Sequence, residues 1–395
     1  MIRRDIDGEL LESAREYPVV TILGPRQAGK TTLARSVFPD RAYYSLDRIC
    51  GSSPNPIPGD FWQEPGRRVS FWTESSGSRS SCPTCRALST GIRGEDGSSW
   101  QGAISPLFRP PSPNRSQEGP PSVLSGPYWL TNSHVMPPFP PLQMAIKGFF
   151  SALHEKGLDP RRFFNSYLQT YLERDLRAMV RVRDLSSFLK FLVLVAGRIG
   201  NLINLASLSN DTGVSTTTVK NWLSVLKASY ILFELPPRFE NVGKRLVRSS
   251  KLYFVGTGLA SFLLGLQTED QVKRDPLRGS LYENLVVGEI TKGAINRGRR
   301  PNLFFYRNSK GNEVDLLVRE GGRIFPIGIK SSEPFTRDFL RGLDHFKALG
   351  LPRAARGLVL YNGEPEFETE GLRISNPFFH DRDLWDLVTG SALPS

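Results

Sequence analysis

The stretch TILGPRQAGKTT (Thr21–Thr32) constrains this chain more than any other. Gly24-Pro25-Arg26-Gln27-Ala28-Gly29-Lys30-Thr31 has the GxxxxGK[ST] spacing of a phosphate-binding loop. The β-branched run Val19–Leu23 precedes it, and a helical segment ending before Pro39 follows. The glycines let the backbone turn tightly, so that several N–H groups face phosphate oxygens, and the helix N-terminus adds its dipole. Lys30 is placed to reach the β- and γ-phosphates, and Thr31 to hold Mg²⁺ through its hydroxyl, with Thr32 completing the site. A strand, a loop and a helix in this order predict the opening of a parallel α/β sheet, with Ala42–Asp47 as its second strand. The leading helix is expected over the first residues, with Leu10, Leu11 and Ala14 turned inward.

Binding is not hydrolysis. Hydrolysis needs a second acid at a strand end, to order Mg²⁺ and the attacking water. The following segment should supply it, but Asp60, Glu64 and Glu74 all lack a preceding apolar run. Across residues 51–130, Gly, Pro and Ser fill 38 of 80 positions, too many for a buried core. Yet four of the six tryptophans fall here (Trp62, Trp72, Trp100, Trp129), and no lysine occurs between Lys30 and Lys147, unlike a solvated linker. The CxxC at Cys82–Cys85 supplies at most half a tetrahedral zinc site. Adding Cys50 and His134 gives no known zinc spacing, and a redox CxxC would need a thioredoxin-like context that is missing.

The chain divides into residues 1–50, 51–142, 143–245 and 246–395. Its net charge of +12 and pI near 9.7 suit an acidic partner, nucleic acid being the usual one, or equally a merely basic surface. Three cysteines point to a reducing compartment, and the amphipathic start to a cytoplasmic protein. The most apolar run, Phe188–Gly197, is too short to span a membrane. Residues 205–214 read as a helix closed by a glycine turn, with Ser215 capping the next helix. Val219, Trp222, Leu223 and Leu226 then share one buried face, leaving Thr216, Thr217, Lys220 and Asn221 outward. That is helix-turn-helix spacing, suited either to DNA contact or to packing between neighbouring domains. Lys244, Arg245, Arg248 and Lys251 could face phosphates or form a solvated surface. Arg174 and Arg177 could reach a γ-phosphate or pair along their own helix.

VVTILGPRQAGKTTLARSVFP, RFFNSYLQTYLERDLR, LSNDTGVSTTTVKNWLSVLKASYILFELPP, GKRLVRSSKLYF, LRGSLYENLVVGEI and GNEVDLLV with PIGIKSS can be taken together. So read, the chain resembles the AAA-type ATP-binding proteins that carry a C-terminal restriction-endonuclease-like domain of unknown function. The resemblance implies an α/β fold in three parts: an incomplete P-loop NTPase sheet, a helical winged-helix-like middle and a nuclease-like α/β domain. It implies ATP and Mg²⁺ as ligands. In such nucleases a helix Glu and a strand Asp hold Mg²⁺, and an acid-x-Lys strand polarises water. Glu283, Asp315 and Lys330 take those places, but position 328 is Gly where the pattern needs an acid. Present nuclease activity is therefore not expected, and the alternative function is nucleic-acid binding with a degenerate nuclease-like domain.

The family would also place a Leu-Asp-Glu strand end followed by Val-Gln-Arg-Val-Pro-Glu-Leu-Leu within residues 51–142. Read one base out of frame, codons for Phe71–Arg86 can spell Leu-Asp, then Gly or Arg where the family has Glu, then Val-Gln-Arg-Val-Pro-Glu-Leu-Leu-Pro-Tyr-Leu-Gln. The hypothesis is that most of this segment is translated out of frame, and that hydrolysis is impaired by loss of the acid-bearing strand. Re-sequencing the gene tests it, and an unshifted frame that encodes the family pattern would overturn it.

Overall fold

The computed structural model describes residues 6–16, 20–23, 25, 27–40, 123–125, 140–148, 150–171, 185–238, 249–351, 353–378 and 383–390. Ala42–Asp47, Phe71–Cys85, Cys50, His134, Arg174, Arg177, Lys244, Arg245 and Arg248 lie outside them. So do Asp60, Glu64 and Glu74.

Helix α1 (Asp7–Glu16) leads to strand β1 (Thr21–Leu23) and helix α2 (Lys30–Val37). β1 pairs in parallel with β2 (Val123–Ser125) in a two-stranded sheet. β2 lies within the segment 51–142, while Phe71–Cys85, expected as irregular chain, lies outside the described residues. The inward face of α1 differs from the expectation. Leu10 and Ser13 are buried while Leu11 is exposed, so the stripe is rotated. Leu10 and Ile6 pack on Leu33 of α2 and on Ile295, a residue of a later helix.

Helices α3 (Pro141–Lys147), α4 (Ser151–Glu155), α5 (Pro160–Tyr171), α6 (Leu185–Ala196), α7 (Leu205–Thr212) and α8 (Thr216–Ala228) follow. The α7–α8 turn forms as its residues dictate. Asn204 caps α7 through Ser207 N–H, Gly213 closes it at φ 76°, and Ser215 accepts from Thr218 N–H. Val219, Trp222, Leu223 and Leu226 are all buried. They meet Phe188 and Phe191 of α6, whose rings lie 5.1 and 5.2 Å from Trp222. An antiparallel hairpin, β3 (Leu232–Leu235) and β4 (Lys251–Phe254), comes next.

After α9 (Thr257–Leu263) and α10 (Glu269–Arg274) comes the long helix α11 (Arg278–Asn296). It precedes a six-stranded mixed sheet of β5 (Leu303–Arg307), β6 (Glu313–Glu320), β7 (Arg323–Lys330), β8 (Leu358–Tyr361), β9 (Phe367–Thr369) and β10 (Leu372–Ser375). The order is β5-β6-β7-β8-β10-β9. β5–β6–β7 run antiparallel, and the Gly321–Gly322 turn between β6 and β7 has both φ values positive. β7–β8 run parallel, which requires a crossover, and α12 (Arg341–Ala348) supplies it.

Both faces of the sheet are covered, so its strands are apolar on both sides. Leu358 and Leu360 join Val286, Val287 and Ile290 of α11. Val359 and Tyr361 join Leu343 and Phe346 of α12. α13 (Leu384–Thr389), capped by Asp383, closes the α11 layer with Trp385. No helix among the described residues is long and apolar enough to cross a membrane. The chain is a mixed α/β protein.

Candidate functional site

The GxxxxGK[ST] stretch lies between β1 and α2. Gly24 and Arg26 are outside the described residues. Pro25 and Ala28 are buried and Gln27 is exposed. Gln27 (φ 60°) and Gly29 (φ 71°) are left-handed, which curls the loop tightly. For Gln27 that conformation is uncommon and strained, and such residues gather at ligand-binding turns. Lys30 opens α2, and its ammonium donates to the Pro25 carbonyl at 2.9 Å. Thr31 is half-buried and Thr32 exposed. Seven of the nine positions named from the sequence for nucleotide binding are therefore described, and they occupy a strand–loop–helix.

A second constellation assembles where the β3–β4 hairpin meets α11 and the sheet. Lys251 of β4 is 3% exposed. Its ammonium lies 2.7 Å from Glu283 of α11 and 2.5 Å from Glu313 of β6. The Tyr253 hydroxyl donates to the same Glu283 oxygen at 2.5 Å. Arg307 approaches the other Glu313 oxygen at 3.5 Å. Asp315 accepts from Ile329 N–H at 2.7 Å and from Lys330 at 2.9 Å. A register shift between Phe304 and Tyr306 breaks the β5–β6 pairing beside Asp315. The structure thus gathers Glu283, Asp315 and Lys330 around one cluster, but Lys251 stands in its centre.

The electrostatics follow from burial and proximity. Burial alone would lower the Lys251 ammonium, but Glu283, Asp315 and Glu313 outweigh it and hold it well above the lysine range. Burial leaves the Glu283 carboxyl above its usual value, with Lys251 opposing and Asp315 reinforcing. Burial and the same carboxylates push the Tyr253 phenol up. Lys251 is therefore no solvated surface cation, as its basic neighbours in sequence had implied. The three carboxylates keep it charged against the burial that opposes charge.

Gly328 lies two residues before Lys330 on β7, on the same face by the two-residue period of a strand. A Cβ there would meet Leu343 at 3.6 Å and Val359 at 3.8 Å, the apolar layer under α12. A carboxylate at 328 would start from that apolar side of the strand. Among the described residues no group of three His, Cys, Asp or Glu side chains could hold a metal ion. Thr216, Thr217, Lys220 and Asn221 form the exposed face of α8, opposite its buried stripe.

Sequence reasoning missed Lys251, Tyr253, Asn284 and Glu313 as parts of one cluster. Asn284 exchanges two 2.7 Å hydrogen bonds with the Phe254 backbone, so it clasps β4 beside Glu283. The available signal was a lysine heading the otherwise apolar run Leu252–Val255.

Residues 142–270 match a family described as Domain of unknown function (DUF8612). Residues 278–378 match Domain of unknown function (DUF4143). The chain is 27% identical over 399 residues to "Uncharacterized protein Rv2008c" of Mycobacterium tuberculosis, covering 95% of this chain and 83% of that protein. "Uncharacterized protein Mb2031c" of Mycobacterium bovis matches to the same extent. The unmatched twentieth of the chain is far shorter than residues 51–142, so the likeness spans that segment.

Proposed function

We propose that this chain binds ATP with Mg²⁺ through residues 24–32 and hydrolyses it weakly or not at all. One observation carries the reading: a left-handed Gly29 delivers Lys30 to the first position of α2, directly behind a parallel-paired strand. The residues present fit a triphosphate. Loop N–H groups and the α2 N-terminus suit its oxygens, Lys30 can exchange the Pro25 carbonyl for a phosphate, and Thr31 is placed for Mg²⁺. The ion would supply charge neutralisation between the β- and γ-phosphates. Hydrolysis lacks its second acid on β2, whose residues are Val, Leu and Ser. The C-terminal family is often found alongside ATPase domains, which agrees with this reading.

The test is titration with a fluorescent ATP analogue in Mg²⁺. Wild type should bind, and Lys30→Ala should weaken binding at least about tenfold, the loss of one charge-assisted phosphate contact. Equal affinity of the two proteins, or none in wild type, defeats the proposal. A second reading, DNA binding by α8, is favoured by its exposed Thr216, Thr217, Lys220 and Asn221 on a chain of net charge +12. There Lys220→Ala should lower the salt slope of duplex binding by about one.

A further inference from the structure

The carboxylate cluster of the C-terminal sheet has a cation already. Glu283 and Glu313 come from different elements, α11 and β6, and the Lys251 ammonium sits within ion-pair distance of both. The Glu283 oxygen that meets Lys251 also accepts from Tyr253, and the Asp315 oxygen that meets Lys330 also accepts from Ile329 N–H. Three carboxylates, Glu283, Glu313 and Asp315, face three cations, Lys251, Lys330 and Arg307. The Phe305 ring lies 5.5 Å from the Lys251 ammonium and shields it.

The cation is supplied across a boundary. Lys251 and Tyr253 belong to the residues that match one family, and Glu283, Glu313 and Asp315 to those that match the other. The backbone of the hairpin is held at the same place. Asn284 clasps Phe254, and the strand after the hairpin's first arm meets β5 through Arg238 N–H to the Phe305 carbonyl at 2.8 Å.

We propose that Lys251 is the resident cation of this cluster, standing between Glu283 and Glu313 where a divalent metal would otherwise sit. It makes the cluster a metal-independent joint between the β3–β4 hairpin and the α11–sheet layer. The inference is independent of nucleotide binding at the phosphate loop. It follows because removing one member of a buried, balanced set leaves an uncompensated charge, whereas removing a pair does not.

The experiment is thermal unfolding of the full chain, with manganese binding followed by electron paramagnetic resonance. Wild type should melt at the same temperature in EDTA and in millimolar Mn²⁺, and should bind no Mn²⁺ that Glu283→Gln releases. Lys251→Met should lower the melting temperature by about 10 °C. Lys251→Arg, which keeps the charge, should lose less. Lys251→Met with Glu283→Gln should regain at least half of the loss. That double variant is also the readout if Lys251→Met alone does not fold. The proposal is overturned if Lys251→Met melts like wild type in EDTA. It fails equally if the double variant is no more stable than the single one, or if wild type binds Mn²⁺ in a Glu283-dependent manner.

Discussion

The loop proposed to bind phosphate and the carboxylate–lysine cluster are built in opposite ways. The loop is one run of neighbours in sequence, set between a three-residue strand and an eight-residue helix. The cluster draws on β4, α11, β5, β6 and β7, and lies beside two large apolar layers. The loop's own apolar support is small: Ile6, Leu10 and Leu33, completed by Ile295 of α11. A local motif needs only local backbone geometry, whereas an assembled site exists only if a whole core holds its members in register.

The largest expected effect breaks the comparison at two helical glycines. Glycine-to-alanine in a helix ordinarily stabilises by about 0.4–1 kcal/mol. Gly8→Ala should do so, since nothing lies within 4 Å of the added carbon. Gly342→Ala should do the reverse, because its Cβ would collide with the Glu313 carbonyl where α12 crosses the cluster strand. We expect Gly342→Ala to lose most of its soluble yield or to melt more than about 10 °C lower. Circular dichroism melts of both variants decide this, and a Gly342→Ala protein as stable as wild type would refute the close packing.

Next come two leucines. Leu317→Ala empties a fully buried site in the sheet and should cost about 2–5 kcal/mol of global stability. Leu33→Ala should instead raise hydrogen exchange in α1 and α2 while leaving α11 and the sheet protected, because its cluster is small. Exchange that rises throughout the chain after Leu33→Ala would show the two regions unfold as one.

The smallest effect is a pH handle in the middle region. Burial lowers the His154 imidazole, Lys147 adds to this, and the hydrogen bond to the Gly148 carbonyl opposes it. A folded value below the unfolded one means that the folded state binds fewer protons. Stability is then intact above about pH 6.5 and falls as pH drops through that value. His154→Gln should flatten this part of the melting-temperature profile. An unchanged slope would assign the acid response to another group.

Legibility followed the same division. The turn after α7, the Ser215 cap and the buried face of α8 were readable because capping and helical period are local properties. Of the α1 residues expected inward, Leu10 is buried but Leu11 is exposed, and Ser13 is buried in its place. Glu283, Asp315 and Lys330 were legible singly, from the strand and helix patterns around them. Their counterion was not, because Lys251 precedes Glu283 by a whole helix pair and reads in sequence as one more surface base.

By itself, the sequence determined the strand–loop–helix at Thr21–Val37 and the helix-turn-helix spacing. Each depends on spacing within a few residues. Only the tertiary structure decided that Gly328 faces an apolar layer, and that a buried lysine stands among the carboxylates. Burial and charge balance are properties of residues distant in the chain, and they exist only once the hairpin, the helix and the sheet have met.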